Sequence, residues 1–153
     1  MRTALGLALL LMIGCVEADL CSTTCPKMEG TYAMTYRAVT IESADCALVA
    51  AAEGPRLIQI TRSGAEVRAT LNGASGRGML QDTSDFSIAA TEEPDGGTDA
   101  GTQSFTLRGY FIPPVMRGAD GGDPAMIEGK WITHAERGAK VCDAERPFTG
   151  IKQ

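Results

Sequence analysis

The stretch RLIQITRSGAEVRATLNG (residues 56–73) decides the fold class. Its apolar residues recur at every second position on either side of a short link: Ile58, Ile60, Val67, Ala69 and Leu71. A period of two is typical of strands that bury one face. Within the link, Gly64 can supply the positive φ angle that a tight hairpin needs. The stretch therefore predicts two antiparallel strands joined by a tight turn.

The same alternation recurs along the chain and predicts about eight strands. They are centred on residues 30–37, 57–61, 67–71, 79–81, 86–90, 105–111, 126–134 and 148–151. The glycine-rich residues 73–78 are predicted to form a chain reversal, and the alanine-rich residues 43–54 a short helical turn. Because the predicted connections are short, neighbouring strands must be antiparallel. The expected fold is an all-β, up-and-down meander that closes into a small barrel, with a β-sandwich as the alternative.

Size and charge narrow the class of protein. The chain has 153 residues, of which 44% are hydrophobic, and this suits one domain with a core. It carries 14 basic and 19 acidic residues, for a net charge of −5. A mildly acidic chain without a basic cluster is a poor binder of nucleic acid, so no nucleic-acid partner is expected.

The N-terminus has the organisation of an export signal. Arg2 precedes an apolar run over residues 4–13, and Gly14 and Cys15 follow. As a helix, ten residues extend only about 15 Å, roughly half the thickness of a bilayer core. The run is therefore predicted to be a signal peptide rather than a transmembrane span.

Residues 11–15 (LMIGC) resemble the lipobox of bacterial lipoproteins. The resemblance implies cleavage before Cys15 and attachment of diacylglycerol to its sulfur. Residue 16 is Val and not Asp, which in Gram-negative lipoproteins goes with sorting to the outer membrane. Met12 departs from the Leu, Val or Ile more usual there. The alternative is an ordinary signal peptide that is cut elsewhere and discarded with Cys15.

The predicted organisation is a signal peptide over residues 1–14, a lipidated tether over 15–29 and one β domain over 30–153. Cleavage removes Arg2, so 13 basic residues face 19 acidic ones, for a net charge of −6. Such a domain has little electrostatic attraction to anionic lipid, and membrane contact is expected to come from the anchor.

The positions of the cysteines relative to the predicted strands indicate how they pair. Lipidation of Cys15 would leave four, an even number that suits disulfides in an oxidising compartment. In an up-and-down meander, Cys46 follows the first strand and Cys142 the seventh, so both lie at one end. Cys21 and Cys25 precede the first strand and lie at the other end. We therefore predict Cys46–Cys142 and Cys21–Cys25 bridges, with a redox pair or a zinc site as the alternative.

Two short elements resemble the G-x-W motif of lipocalin-like and avidin-like barrels: Gly30-Thr31-Tyr32 and Gly129-Lys130-Trp131. That resemblance implies a barrel, and Tyr32 and Trp131 are the candidate ligand-binding residues. The alternative is that the aromatic side chains fill the interior as a packed core.

Candidates for chemistry are few. His134 is the only histidine, and Glu136 would share its strand face, but no G-x-S-x-G element or lone reactive thiol accompanies them. We predict no catalytic residue and read His134 as a surface residue near a strand end. The Asp- and Gly-rich loops around Asp95 and Asp120 could suit calcium, but they match no calcium motif and are ordinary turn compositions. No metal and no cofactor is predicted.

The sequence thus favours a non-enzymatic cell-envelope lipoprotein that serves as a binding or interaction module. Its partners would be the membrane, through Cys15, and either an envelope protein or a small apolar ligand. A lipocalin-like carrier of such a ligand is the second hypothesis, and an envelope hydrolase is the third.

The anchor can be tested by one substitution. Cys15→Ser removes the sulfur that would carry the lipid, so the protein is expected to leave the membrane fraction. Fractionation of cells followed by immunoblotting measures this, with Cys21→Ser as the matched control that should stay bound. Membrane retention of the Cys15→Ser protein would contradict the lipidation hypothesis.

Overall fold

The structure is a computed structural model that describes residues 20–21, 25–43, 46, 54–81, 83–92, 101–116 and 122–153. The predicted signal peptide, the lipobox with Cys15 and most of the predicted helical turn over 43–54 lie outside these residues. So do Asp95 and Asp120.

The described residues form one antiparallel sheet of nine strands. The strands are β1 (Gly30–Tyr36), β2 (Ile41–Glu42), β3 (Leu57–Ser63), β4 (Glu66–Leu71), β5 (Ala74–Leu80), β6 (Asp85–Glu92), β7 (Gln103–Ile112), β8 (Met126–Arg137) and β9 (Lys140–Lys152). From β3 to β9 each strand pairs with the next, while β2 adds two residues beside β9.

Closure of the sheet makes the fold a barrel. The first and last long strands, β1 and β9, pair antiparallel from Tyr32 opposite Lys152 to Tyr36 opposite Phe148. On its other side β1 pairs with β3, from Gly30 opposite Ile60 to Ala33 opposite Leu57. Eight strands therefore close on themselves, which confirms the predicted all-β barrel and not the sandwich.

Side chains fill the interior, as alternation along every strand requires. Trp131 and Phe105 stack with ring centroids 5.5 Å apart, and Tyr36 meets Trp131 edge-on at 6.5 Å. Other interior residues are almost or completely inaccessible to solvent: Tyr32, Ile58, Ile60, Val67, Leu71, Leu80, Phe86, Ile88, Leu107, Phe111, Ile127 and Phe148. The barrel therefore has a packed core.

The barrel has two different ends. We call lower the end that holds the start of β1, the β3–β4 turn, the β7–β8 connection and the end of β9; the opposite end is upper. The N-terminal segment packs on the lower end, where Leu20 bridges to Gln81 and the Cys21 amide donates to the Leu80 carbonyl at 3.1 Å. Met28 is fully buried, and its carbonyl accepts the Tyr32 hydroxyl at 2.6 Å. The described part of the predicted tether thus closes the bottom of the barrel.

Residues 73–78 do not form the predicted reversal. The turn consists of Asn72 and Gly73, with φ angles of 49° and 94°, and β5 begins directly afterwards at Ala74. Gly76 and Gly78, which suggested a loop, lie inside this strand, where neighbouring backbone approaches closely. A Cβ atom on Gly78 would lie 1.6 Å from the Ser87 carbonyl oxygen. Here glycine marks close strand contact and not a turn.

The last strand is also longer than predicted. It begins at Lys140 and not near Phe148, directly after a turn at Gly138, whose φ angle is 61°. The inward residues of its first half include Cys142 and Ala144, which are small and give a weak alternation signal.

Both predicted disulfides are confirmed: Cys21–Cys25 at the lower end and Cys46–Cys142 at the upper end. Strand parity assigned each cysteine to the correct end. The long bridge ties the chain after β1 to the last strand, and Cys46, Ala135, Cys142 and Ala144 form a small buried cluster beside it.

The two bridges should differ in their effect on stability. Replacing Cys46 and Cys142 by alanine is expected to lower the free energy of unfolding by about 4–5 kcal/mol, because the bridge spans 96 residues. The matched Cys21/Cys25 double variant opens a link between residues four apart and should lose only about 2 kcal/mol in the same chain-entropy model. Urea denaturation measures both, and equal losses would contradict the prediction.

Candidate functional site

An apolar groove opens at the lower end of the barrel. Its volume is about 560 Å³, and half of its eight lining residues are prolines. The walls are Pro26, Lys27, Phe111, Pro113, Pro114, Pro124, Ala125 and Lys152. They come from the N-terminal segment, both sides of the β7–β8 connection and the end of β9, so the barrel brings four distant stretches together.

The prolines give the groove fixed, apolar walls. Proline has a locked φ angle and no backbone N–H, so it ends strand pairing and presents ring carbons. Pro113 and Pro114 directly follow β7, and Pro124 lies just before β8. Val115 and Asp123 exchange backbone hydrogen bonds at 3.1 and 3.0 Å, which hold the two described sides of the β7–β8 connection together beside the groove. The proline walls of the groove therefore have little conformational freedom.

Two lysines add charge to these apolar walls. Lys27 is exposed and Lys152 is half-buried, with its side chain lying over Gly30. A mostly apolar groove with a few polar groups is the usual form of a small-ligand site. The apolar walls and the two lysines together suit a ligand that has an apolar body and an anionic group.

The sequence-predicted ligand residues lie elsewhere, inside the barrel. Tyr32 and Trp131 are both fully buried, and burial raises the pKa of the Tyr32 hydroxyl well above its ordinary value. Within the described residues, the Trp131 Nε1 atom has no hydrogen-bond partner, and neither has the Nε atom of Arg146 directly across the strand pair. An unpaired buried donor costs about 1–3 kcal/mol, so these two donors are suited to an acceptor.

His134 forms a second polar cluster on the outer face of the upper end. Its Nδ1 atom lies 2.6 Å from Asp143 Oδ1 and its Nε2 atom 3.1 Å from Glu136 Oε1. The Glu136 neighbour was expected from strand alternation. Asp143 belongs to β9, so its contact with His134 could be known only from the register between β8 and β9. Hydrogen bonds to Asp143 and then Glu136 raise the pKa of His134 above its ordinary value.

This cluster is better suited to holding a charged imidazolium than to general-base catalysis. Both ring nitrogens face carboxylates, so neither is free to accept a proton from a nucleophile. The nearby Ser43 hydroxyl donates to the Val141 carbonyl at 2.9 Å and accepts the Asp143 amide at 3.0 Å. Its hydrogen bonds hold Ser43 against β9.

In the described part of the chain, no three His, Cys, Asp or Glu side chains are grouped in a way that could hold a metal ion. Asp95 and Asp120 lie outside that part. No helix among the described residues is long and apolar enough to cross a membrane.

Comparison with known proteins gives no relative: no family model, curated protein or solved structure matches the chain.

Sequence reasoning missed the groove. Pro113 and Pro114 were recognisable only as the end of a strand, and nothing local to them indicates that Pro26 and Lys152 lie beside them. The one usable signal was the grouping of three prolines over residues 113–124, in a chain that has seven.

The His134 cluster predicts a pH-dependent contribution to stability. Because the folded-state pKa is raised, the contribution is fully present below the unfolded-state value of about 6.5 and is lost as the pH rises through the folded-state pKa. The difference in unfolding free energy between the native chain and His134→Gln should therefore shrink as the pH rises. NMR titration of the imidazole should show a lower pKa in Asp143→Asn. A difference that does not change with pH would contradict this assignment.

Proposed function

We propose that the chain is a non-enzymatic envelope lipoprotein, anchored through Cys15, that binds an apolar ligand carrying an acidic group. The binding site is the proline-lined groove at the lower end. The observation that carries the proposal is the groove itself, which combines about 560 Å³ of mainly apolar space with Lys27 and Lys152. A Gram-negative outer membrane is the proposed location, from the residues that follow Cys15.

The packed interior supports placing the site at the end of the barrel. Core side chains such as Leu107, Ile127 and Trp131 are fully buried, so a ligand at barrel mid-height would have to displace them. Displacing packed side chains costs several kcal/mol per residue, whereas the groove is already open. A ligand therefore reaches the groove without rearranging the core.

Ligand chemistry follows from the walls of the groove. Proline and phenylalanine carbons favour an alkyl chain through burial of apolar surface, at about 0.8 kcal/mol per methylene. The ammonium groups of Lys27 and Lys152 favour a carboxylate or phosphate over a neutral or cationic head. A single-chain anionic amphiphile meets both requirements.

A second candidate is a lipocalin-like carrier that holds its ligand inside the barrel. One observation favours it: the buried donors Trp131 Nε1 and Arg146 Nε lack partners within the described residues. A ligand carboxylate accepting from both would satisfy them. To admit a ligand, such a carrier would have to open its packed interior at the upper end of the barrel.

Titration of the Cys15→Ser chain with dodecanoate distinguishes the candidates. The groove predicts NMR shifts at Lys27, Ala125 and Lys152, whereas the interior carrier predicts a shift of the Trp131 indole N–H. Lys27→Gln and Lys152→Gln should each weaken dodecanoate binding by up to about fivefold, the value of a partly exposed ion pair.

Lys140→Gln, at the upper end, is the matched control and should leave dodecanoate affinity unchanged. Dodecanol lacks the anionic head and should bind with the same affinity to the native and lysine-substituted chains. If the native chain and all three lysine variants bind dodecanoate with the same affinity, the groove assignment is contradicted.

A further inference from the structure

We infer that the lower end of the barrel docks on the surface of a phospholipid bilayer, with the groove open toward the acyl chains. The groove then takes one acyl chain of a membrane phospholipid, whose phosphate lies near Lys27 and Lys152. This inference rests on the proposed anchoring at Cys15 and adds an orientation and a ligand source to it.

Tether length is the first observation. Only residues 16–19 separate Cys15 from Leu20, the first described residue, which bridges to Gln81 at the lower end. A fully extended chain advances at most about 3.6 Å per residue, so five steps reach roughly 18 Å. Strands β8 and β9 have 12 and 13 residues and are about 40 Å long. The tether therefore holds the lower end within roughly 18 Å of the anchored residue, so this end is the one that most readily meets the bilayer.

The distribution of exposed apolar side chains is the second observation. The described part of the chain has eight large ones, and six lie in the lower half of the barrel. Those six are Leu20, Met79, Tyr110, Val115, Met116 and Ile151. Met116, two residues after the groove-lining Pro114, is 87% exposed. These residues come from strands around the barrel and share its lower half. Exposed apolar side chains concentrated at one end suit a protein or membrane contact, and the short tether favours the membrane.

Charge is the third observation. Lys27 and Lys152 make no salt bridge within the described residues, whereas Arg62 at the same end is paired with Glu29 at 2.8 Å. Lysines beside inserted apolar residues can meet lipid phosphates while their alkyl stems stay in the apolar layer. The net charge of −6 expected for the mature chain opposes general attraction to anionic lipid, so apolar insertion is the main contact and the lysines a local one.

Depth-dependent quenching tests the docking. The full chain carrying Met116→Trp, expressed with its signal peptide and purified, is reconstituted in vesicles of phosphatidylcholine with brominated acyl chains, which quench only tryptophans that reach the bilayer. Docking predicts strong quenching of this reporter. The matched reporter Val141→Trp, at an upper-end position that is 39% exposed, should not be quenched. Native Trp131 is buried in the core and contributes the same background to both proteins.

The lysines are tested in the same reporter protein. In vesicles containing phosphatidylglycerol, the double substitution Lys27→Gln and Lys152→Gln should lower the ratio of docked to undocked barrel by about fivefold per lysine. Lys140→Gln should not change it. Equal quenching of the Met116→Trp and Val141→Trp reporters would overturn the docking. So would quenching of the Met116→Trp reporter that stays the same in all the lysine variants.

Sedimentation of the vesicles separates the two proposals. Protein that sediments with vesicles but whose Met116→Trp reporter is unquenched is anchored without docking, which overturns only this inference. Protein that stays in the supernatant lacks the anchor, which overturns both.

Discussion

The pairing of β1 with β9 is the constraint on which the rest of the structure depends. It joins the first and last long strands from Tyr32–Lys152 to Tyr36–Phe148 and gives every barrel strand two neighbours. Without it, both strands would expose unpaired N–H and C=O groups along their length. The Cys46–Cys142 bridge supports this closure at the upper end, because it ties the chain after β1 to β9.

Closure also decides where binding can occur. A barrel of eight strands has an interior just wide enough for side chains, and here aromatic and branched residues fill it around Trp131 and Phe105. The outward face of each strand alternates with that core and is largely polar. The proposed binding site therefore lies at an end of the barrel, where connections between strands can form concave surfaces without disturbing the packing.

The two ends differ in chemistry as well as position. The lower end combines a proline-lined groove, exposed apolar residues such as Met116 and the incoming N-terminal segment. The upper end carries the long disulfide and the charged cluster of His134 with Asp143 and Glu136. An apolar end beside the predicted anchor and a polar end far from it fit a module that stands on a membrane and presents its upper loops to the surroundings.

The sequence by itself determined the strands and the cysteine pairing. Alternation with a period of two is a local property, and the parity of the strands assigns each cysteine to an end without any coordinates. The sequence pattern wrongly predicted a chain reversal over residues 73–78 and a late start of β9. Glycine and small inward residues give the same local signal in a strand and in a loop. Only the tertiary structure decided that the sheet closes, that Asp143 faces His134 and that Pro26, Pro113 and Lys152 share a groove. Each of these depends on the register between strands distant in sequence, which is set by the packing of the whole barrel and not by any short segment.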